Sequence, residues 1–319
     1  MVGVALALAA CATPQTDAVL EAPGALPPRA EAAGTPFHAQ RTMECGPASL
    51  AMALNWSGVP VGPDELVEQV YTPERGGSLA NDLVSGARRH GRLAYPVRNL
   101  RELMAELAAG RPVIVLQNLA LPWIPQWHYA VAIGYDLPSE TLILHSGTTP
   151  RMPLSLATFE LTWERGKHWA LVVLPPGELP TARDRARYFA AVAALEGAGA
   201  AEGAAMAYGA GLEAWPGDLG LQMGFGNALY RLDRKDEAAE AFRAAARAHP
   251  DSGDAHNNLA HTLMERGELA DAREMARRAV AIGGANLPTY RKTLEAIERA
   301  LASRQRARGV RDGRSAGLP

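Results

Sequence analysis

The sequence predicts two folded domains in succession, an α+β domain first and an all-α repeat domain second. Three observations carry that expectation. Segments with helical apolar spacing between residues 45 and 109 give way to short β-branched runs between 113 and 174. The Pro-Pro-Gly-Glu-Leu-Pro stretch at 175–180 stops both helix and strand. Beyond it, apolar and alanine positions recur with a period of about 34 residues.

In the first domain, the segment 45–56 spaces Leu50, Ala53 and Leu54 for one helical face, and Pro47 stands in the first turn, where its missing N–H is tolerated. The segments 63–71, 79–90 and 100–109 read as further helices, each ending near Gly, Pro or Asn. The runs 113–116, 129–134, 142–144 and 169–174 read as strands, because they are rich in β-branched residues and bounded by Gly, Pro, Asp and Ser. Helices followed by strands of antiparallel type make an α+β domain, assigned to residues 35–176, with 177–183 as linker.

In the second domain, 184–303, a shift by one period lays Pro216 on Pro250, Leu229 on Leu263, Glu237 on Asp271, Ala238 on Ala272 and Ala245 on Ala279. The segment 231–242 resembles the turn and second helix of a tetratricopeptide repeat, a helix-turn-helix unit whose small alanines allow close helix approach. A weaker earlier unit follows from Leu195, Ala204 and Tyr208, which fall one period before Leu229, Ala238 and Phe242. The segment 288–301 reads as a closing helix, and the Arg- and Gly-rich tail 304–319 as disordered. Stacked repeats imply a protein partner on their surface.

The chain is 48% apolar, as a folded protein requires, and its net charge of −2 gives no electrostatic reason to expect a nucleic-acid partner. It has two cysteines, Cys11 and Cys45, so no disulfide framework is implied. Cys11 closes the short apolar run 2–10, and Leu8-Ala9-Ala10-Cys11 resembles the lipobox of bacterial lipoprotein signal peptides. That resemblance implies a lipid on Cys11 and a membrane anchor. Ala12 after the cysteine, rather than Asp, implies an outer-membrane lipoprotein facing the periplasm of a Gram-negative bacterium. The run 1–11 departs from a secretory signal in being short and in having no preceding Lys or Arg, which a start codon placed too far downstream explains. The Pro-, Ala- and Glu-rich stretch 12–34 reads as a flexible tether. No other stretch approaches the roughly 20 continuous apolar residues that span a bilayer.

Cys45 has the setting of a reactive thiol. It begins a helix, where unsatisfied N–H groups and the macrodipole favour the thiolate. Gln40, five residues earlier, has an amide that can donate to the oxyanion formed when a thiolate adds to a carbonyl, with the Cys45 backbone N–H as second donor. His128 leads a strand and titrates near neutrality, so it is the candidate base.

Gln40-Arg41-Thr42-Met43-Glu44-Cys45-Gly46-Pro47-Ala48-Ser49 resembles the nucleophile motif of the double-glycine leader peptidases, papain-like domains of bacteriocin exporters and their stand-alone relatives. His128-Tyr129-Ala130-Val131 resembles their base motif, and the resemblance spans about 35–175. It implies a papain-like cysteine peptidase domain with nucleophile Cys45, base His128 and oxyanion residue Gln40. The family's next strand ends in an acid that orients the histidine; here Ser146 or His145 stands in that place, with Asp136 a weaker substitute.

Other residues read as structural. His168 is expected on the last strand, and His249, His256 and His261 lack partners for a metal ligand set. Gly76-Gly77-Ser78 lacks the Lys-Ser/Thr of a phosphate loop. Trp123 and Trp127 line a cleft or cover the core. No cofactor and no metal is implied. The expected activity is hydrolysis of a peptide or protein through a thioester, with a degenerate peptide-binding module or adaptor as the alternative. Acyl transfer to an amine is a third reading of the same dyad.

Overall fold

The computed structural model describes residues 12–40 and 43–315. Its first unit, up to Ala200, contains α1 (Pro14–Glu21), β1 (Arg29–Glu31), α2 (Cys45–Trp56), α3 (Pro63–Val70), α4 (Ala80–Arg89), β2 (Leu93–Val97) and α5 (Leu100–Ala108). There follow β3 (Val113–Asn118), β4 (Trp127–Asp136), β5 (Thr141–Ser146), β6 (Thr149–Ser155), α6 (Leu156–Arg165), β7 (Ala170–Leu174) and α7 (Arg185–Gly197). Each expected helix and strand of this half is present, and α1, β1, β2, β6 and α6 are additions.

The strands form one antiparallel sheet in the order β2-β7-β3-β4-β5-β6, with β1 paired to the far end of β4. Two-residue alternation gives the sheet two apolar faces. Ile114, Tyr129, Val131, Ile133, Leu171 and Val173 share a core with Leu50, Leu54, Leu66 and Leu83 of α2, α3 and α4. Helix α2 is apolar on every side from Gly46 to Leu54, so it is buried throughout rather than amphipathic.

Pairing along β4 is staggered. Strand β3 covers 127–132 on one edge, whereas β5 covers only 131–136 on the other. The β5-side edge of β4 is therefore unpaired by strand at 127–130.

The expected tether at 12–34 is a correction. Helix α1 is docked by its ends: the buried Glu160 carboxylate accepts from Gln15 and Thr16 N–H at 2.9 and 2.7 Å, and Arg101 donates to the Ala18, Ala22 and Pro23 carbonyls. Strand β1 then pairs Arg29 with Asp136 and Glu31 with Gly134. Glu160→Ala strips the buried N–H groups of Thr16 and Gln15 of their acceptor and is expected to cost about 1–3 kcal/mol. Urea unfolding with an unshifted midpoint would contradict that.

The expected linker 177–183 is also docked. Glu106, buried in α5, accepts from Thr181 N–H and Oγ1 at 2.7 Å each, and Arg111 donates to Leu179 O. Helix α7 belongs to the first unit as well, because buried Arg187 pairs with Glu102 and donates to Pro96 O.

The second unit comprises α8 (Ala201–Ala214), α9 (Leu219–Arg231), α10 (Lys235–Ala248), α11 (Gly253–Glu265), α12 (Leu269–Ile282) and α13 (Leu287–Ser315). The 34-residue period appears in local geometry. Asp184, Asp218 and Ser252 each cap a helix by accepting from the N–H three residues on. Gly199, Asp233 and Gly267 each turn the chain with positive φ. The superposed pairs Leu229 and Leu263, Ala238 and Ala272, and Ala245 and Ala279 are all buried. Helix α13 continues to Ser315, so the backbone of most of the expected disordered tail is helical.

Candidate functional site

The site is assembled on the open edge of β4. Tyr129 turns its backbone outward there: its N–H is directed at the Cys45 sulfur and its carbonyl accepts from Gln40 Nε2 at 3.0 Å. Helix α2 brings Cys45 to this edge as its first residue. The helix has no side-chain cap, and Pro47 supplies no N–H, so the Cys45 and Gly46 N–H groups are left for the sulfur.

Cys45 and His128 line one cleft of about 840 Å³, together with Gln40, Met43, Trp127, Gly147 and the segment 75–80. Burial pushes the Cys45 thiol up, and the N–H groups of Tyr129, Gly46 and Cys45 work against that shift. Burial pushes the His128 imidazolium down from its usual range, and no carboxylate offsets it. Both shifts favour a neutral thiol and a neutral imidazole within the cleft. A neutral thiol and a neutral imidazole can react by general base catalysis, with the proton leaving sulfur as a carbon–sulfur bond forms.

Alternation along β5 separates the two residues that stand where the acid was expected. Ser146 faces His128, with Oγ 2.8 Å from Nε2. The tautomer that donates Nε2–H to Ser146 leaves Nδ1 with a free lone pair. His145 points to the opposite face, where Nε2 meets Thr35 O at 3.3 Å, Nδ1 accepts from Arg151 N–H at 3.2 Å, and the ring packs on Phe37. His145 is thus excluded as the orienting group. Asp136 is excluded too: it pairs with Arg29 at 2.8 Å, eight residues along β4 and about 26 Å from His128.

Gln40 is buried and doubly tied to the β5–β6 turn: its N–H donates to Gly147 O, and Gly147 N–H donates to its Oε1, both at 2.9 Å. The oxygen is fixed by Gly147, so Nε2 must face inward, where its protons go to Tyr129 O at 3.0 Å and Ser49 Oγ at 3.2 Å. Gln40 reaches an oxyanion only by giving up the longer bond, to Ser49.

The segment 75–80 also lines the cleft, and spacing alone gave no sign of it. Ser78 packs directly on the helix start: a Cβ on Gly46 would lie 2.5 Å from Ser78 Cβ and 2.3 Å from its Oγ. Gly46→Ala is expected to destabilise the unit by about 1–3 kcal/mol through overpacking and to displace Cys45. Thermal melting together with Cys45 alkylation checks this, and wild-type values in both contradict it.

Trp123 and Trp127 do not cover the core. Trp127 is 53% exposed and lines the cleft, and Trp123 is 73% exposed. His168 lies in the turn before β7, with positive φ, edge-on to Trp163, rather than on the strand. His249 and His256 hydrogen-bond the carbonyls of Gly217 and Pro250, and His261 meets Tyr230 OH. Cys11 lies outside the described residues.

Family comparison matches residues 33–170 to the Peptidase_C39 like family and residues 223–286 to a tetratricopeptide repeat family. No curated protein matches the chain. Among solved structures, one described as a C39-like peptidase from Bacillus anthracis is 18% identical, covering 46% of this chain and 97% of its own at a TM-score of 0.41. The first tetratricopeptide domain of human RPAP3 is 19% identical, covering 38% of this chain and 95% of its own at 0.36. The type III secretion translocator chaperone SycD of Yersinia enterocolitica is 18% identical, covering 36% of this chain and 84% of its own at 0.35. With the α+β sheet at residues 33–170 and paired helices in the repeat segment, the chain joins a domain of the Peptidase_C39 like family to a tetratricopeptide-repeat region.

Proposed function

We propose that the protein is a lipid-anchored cysteine peptidase that hydrolyses a peptide or protein in the cell envelope, with the repeats binding a protein partner. The supporting observation is the cleft in which the Cys45 sulfur, under the Tyr129 N–H, accompanies a His128 held by Ser146. In the proposed reaction Cys45 sulfur bonds to the scissile carbonyl carbon as its proton passes to His128. The N–H groups at the start of α2 and Gln40 stabilise the oxyanion. His128 returns the proton to the leaving amine as the carbon–nitrogen bond breaks, leaving a thioester. Water, deprotonated by His128, then releases the acid and restores the thiol.

The test is incubation of the purified chain with a peptide mixture, with products identified by mass spectrometry. Wild type should yield new termini, and Cys45→Ala should yield none. Cleavage by both would sink the proposal. Transfer to an added amine in place of water would identify an acyl transferase.

A second reading, a peptide-binding adaptor without turnover, draws on the committed protons of Gln40 and the absence of a carboxylate at His128. It predicts that Cys45→Ala keeps full peptide affinity and cellular function. The anchor reading rests on Leu8-Ala9-Ala10-Cys11. Metabolic labelling with palmitate should mark the wild type, and Cys11→Ser should release the protein from the outer-membrane fraction into the periplasm.

A further inference from the structure

The turn between β3 and β4 presents an uninterrupted exposed stretch, residues 121–127, of sequence Leu-Pro-Trp-Ile-Pro-Gln-Trp. Trp123 and Ile124 at its tip are 73% and 68% exposed, and Leu119 and Leu121 are exposed beside them. No Asp, Glu, Lys or Arg occurs from Pro112 to Tyr135. We propose that this tip is a membrane-docking element that inserts Trp123 and Ile124 into the headgroup region of a lipid surface.

Three features favour lipid over a protein groove. Trp123 and Ile124 stand outside the neighbouring cleft, to which the same stretch contributes only Pro125, Gln126 and Trp127. Most of its backbone N–H groups are already paired or missing, which lowers the cost of entering a headgroup region. Leu119 N–H donates to Gln126 O, Ile124 N–H donates to Leu121 O, and buried Asn118 accepts from Ala120 and Gln126 N–H. Pro122 and Pro125 have no N–H to satisfy. Finally, tryptophan among aliphatic residues is the composition of membrane interfaces.

The tip also lies near the point where the chain arrives from Cys11. Glu160 holds the N–H groups of Gln15 and Thr16, and Arg165, five residues further along α6, donates to the Asn118 and Ala120 carbonyls. Five residues of helix rise about 7.5 Å, so chain entry and tip base are on the order of 20 Å apart. A lipid on Cys11 and the tip would then touch the same surface, as two weak membrane contacts that together hold firmly. The inference rests on the anchor reading for the lipid on Cys11 and takes nothing from the chemistry at Cys45.

The test uses the full chain carrying Cys11→Ser, so that no lipid contributes, with vesicles of phosphatidylethanolamine and phosphatidylglycerol. The protein should co-float with the vesicles, with a blue shift of tryptophan emission. Adding Trp123→Ser and Ile124→Ser should lower the partition coefficient by about tenfold or more at an unchanged circular dichroism spectrum. Absence of flotation in the parent chain overturns the proposal, and so does equal flotation of the double variant. Loss of peptide affinity in the double variant with vesicle partition unchanged assigns the tip to substrate and also overturns it.

Discussion

His128→Ala is expected to lower kcat for peptide hydrolysis by about 10²–10⁴-fold with little change in KM, the range that loss of a positioned general base produces. The size of the effect follows from the electrostatics of the cleft. Burial raises the thiol of Cys45 above its ordinary value of 9.0, so few molecules carry a thiolate at neutral pH without a proton acceptor beside it. The same substitution should leave the fold intact, because the imidazole is bonded only to Ser146 among the described partners. A drop of less than about tenfold would mean that the thiol ionises without the imidazole.

Ser146→Asp is expected to act in the opposite direction. The hydroxyl 2.8 Å from His128 Nε2 orients the ring but stabilises imidazolium less than a carboxylate does. Burial holds His128 below its ordinary value of 6.5, so the acid limb of kcat/KM in the wild type should lie below that pH, where protonation removes the base. The alkaline limb should lie above 9.0, where ionisation of Cys45 leaves no proton for the leaving amine. The two limbs belong to the coupled pair. A carboxylate at position 146 raises the imidazolium pKa, which moves the acid limb upward and increases the thiolate fraction near neutrality. Each unit of that shift is worth about tenfold in the ion-pair population, so iodoacetamide should alkylate Cys45 about ten times faster at pH 7. An unchanged rate in a folded variant would show that Nε2 does not govern the dyad.

What was legible in the sequence was whatever depends on local pattern. Helix α2 declares itself through its apolar run and Pro47, and the repeats through caps and turns spaced one period apart. The missed strands are edge strands. Pro96 in β2 and Pro150 and Pro153 in β6 interrupt the strand pattern in the sequence, yet an edge strand has one side on which a missing N–H costs nothing. Helix α1 was illegible because its order comes from Glu160 and Arg101, more than 75 residues away in the chain. At the site, Cys45, His128, Gln40 and Ser146 are brought together, but the reason is tertiary: β5 stops short and leaves the Tyr129 edge of β4 to the helix start. The choice of Ser146 over His145 follows from strand alternation, which needs the register of β5 and β6 to be known.

The most direct measurement of the central claim is the rate and position of covalent labelling by a peptide carrying a thiol-reactive ketone, followed on the intact chain by mass spectrometry. The arrangement predicts one adduct, mapped to Cys45, forming faster than on free cysteine at neutral pH, and slowing to the free-cysteine rate in His128→Ala. Equal rates in wild type and His128→Ala, or an adduct that maps only to Cys11, would contradict a Cys45–His128 dyad.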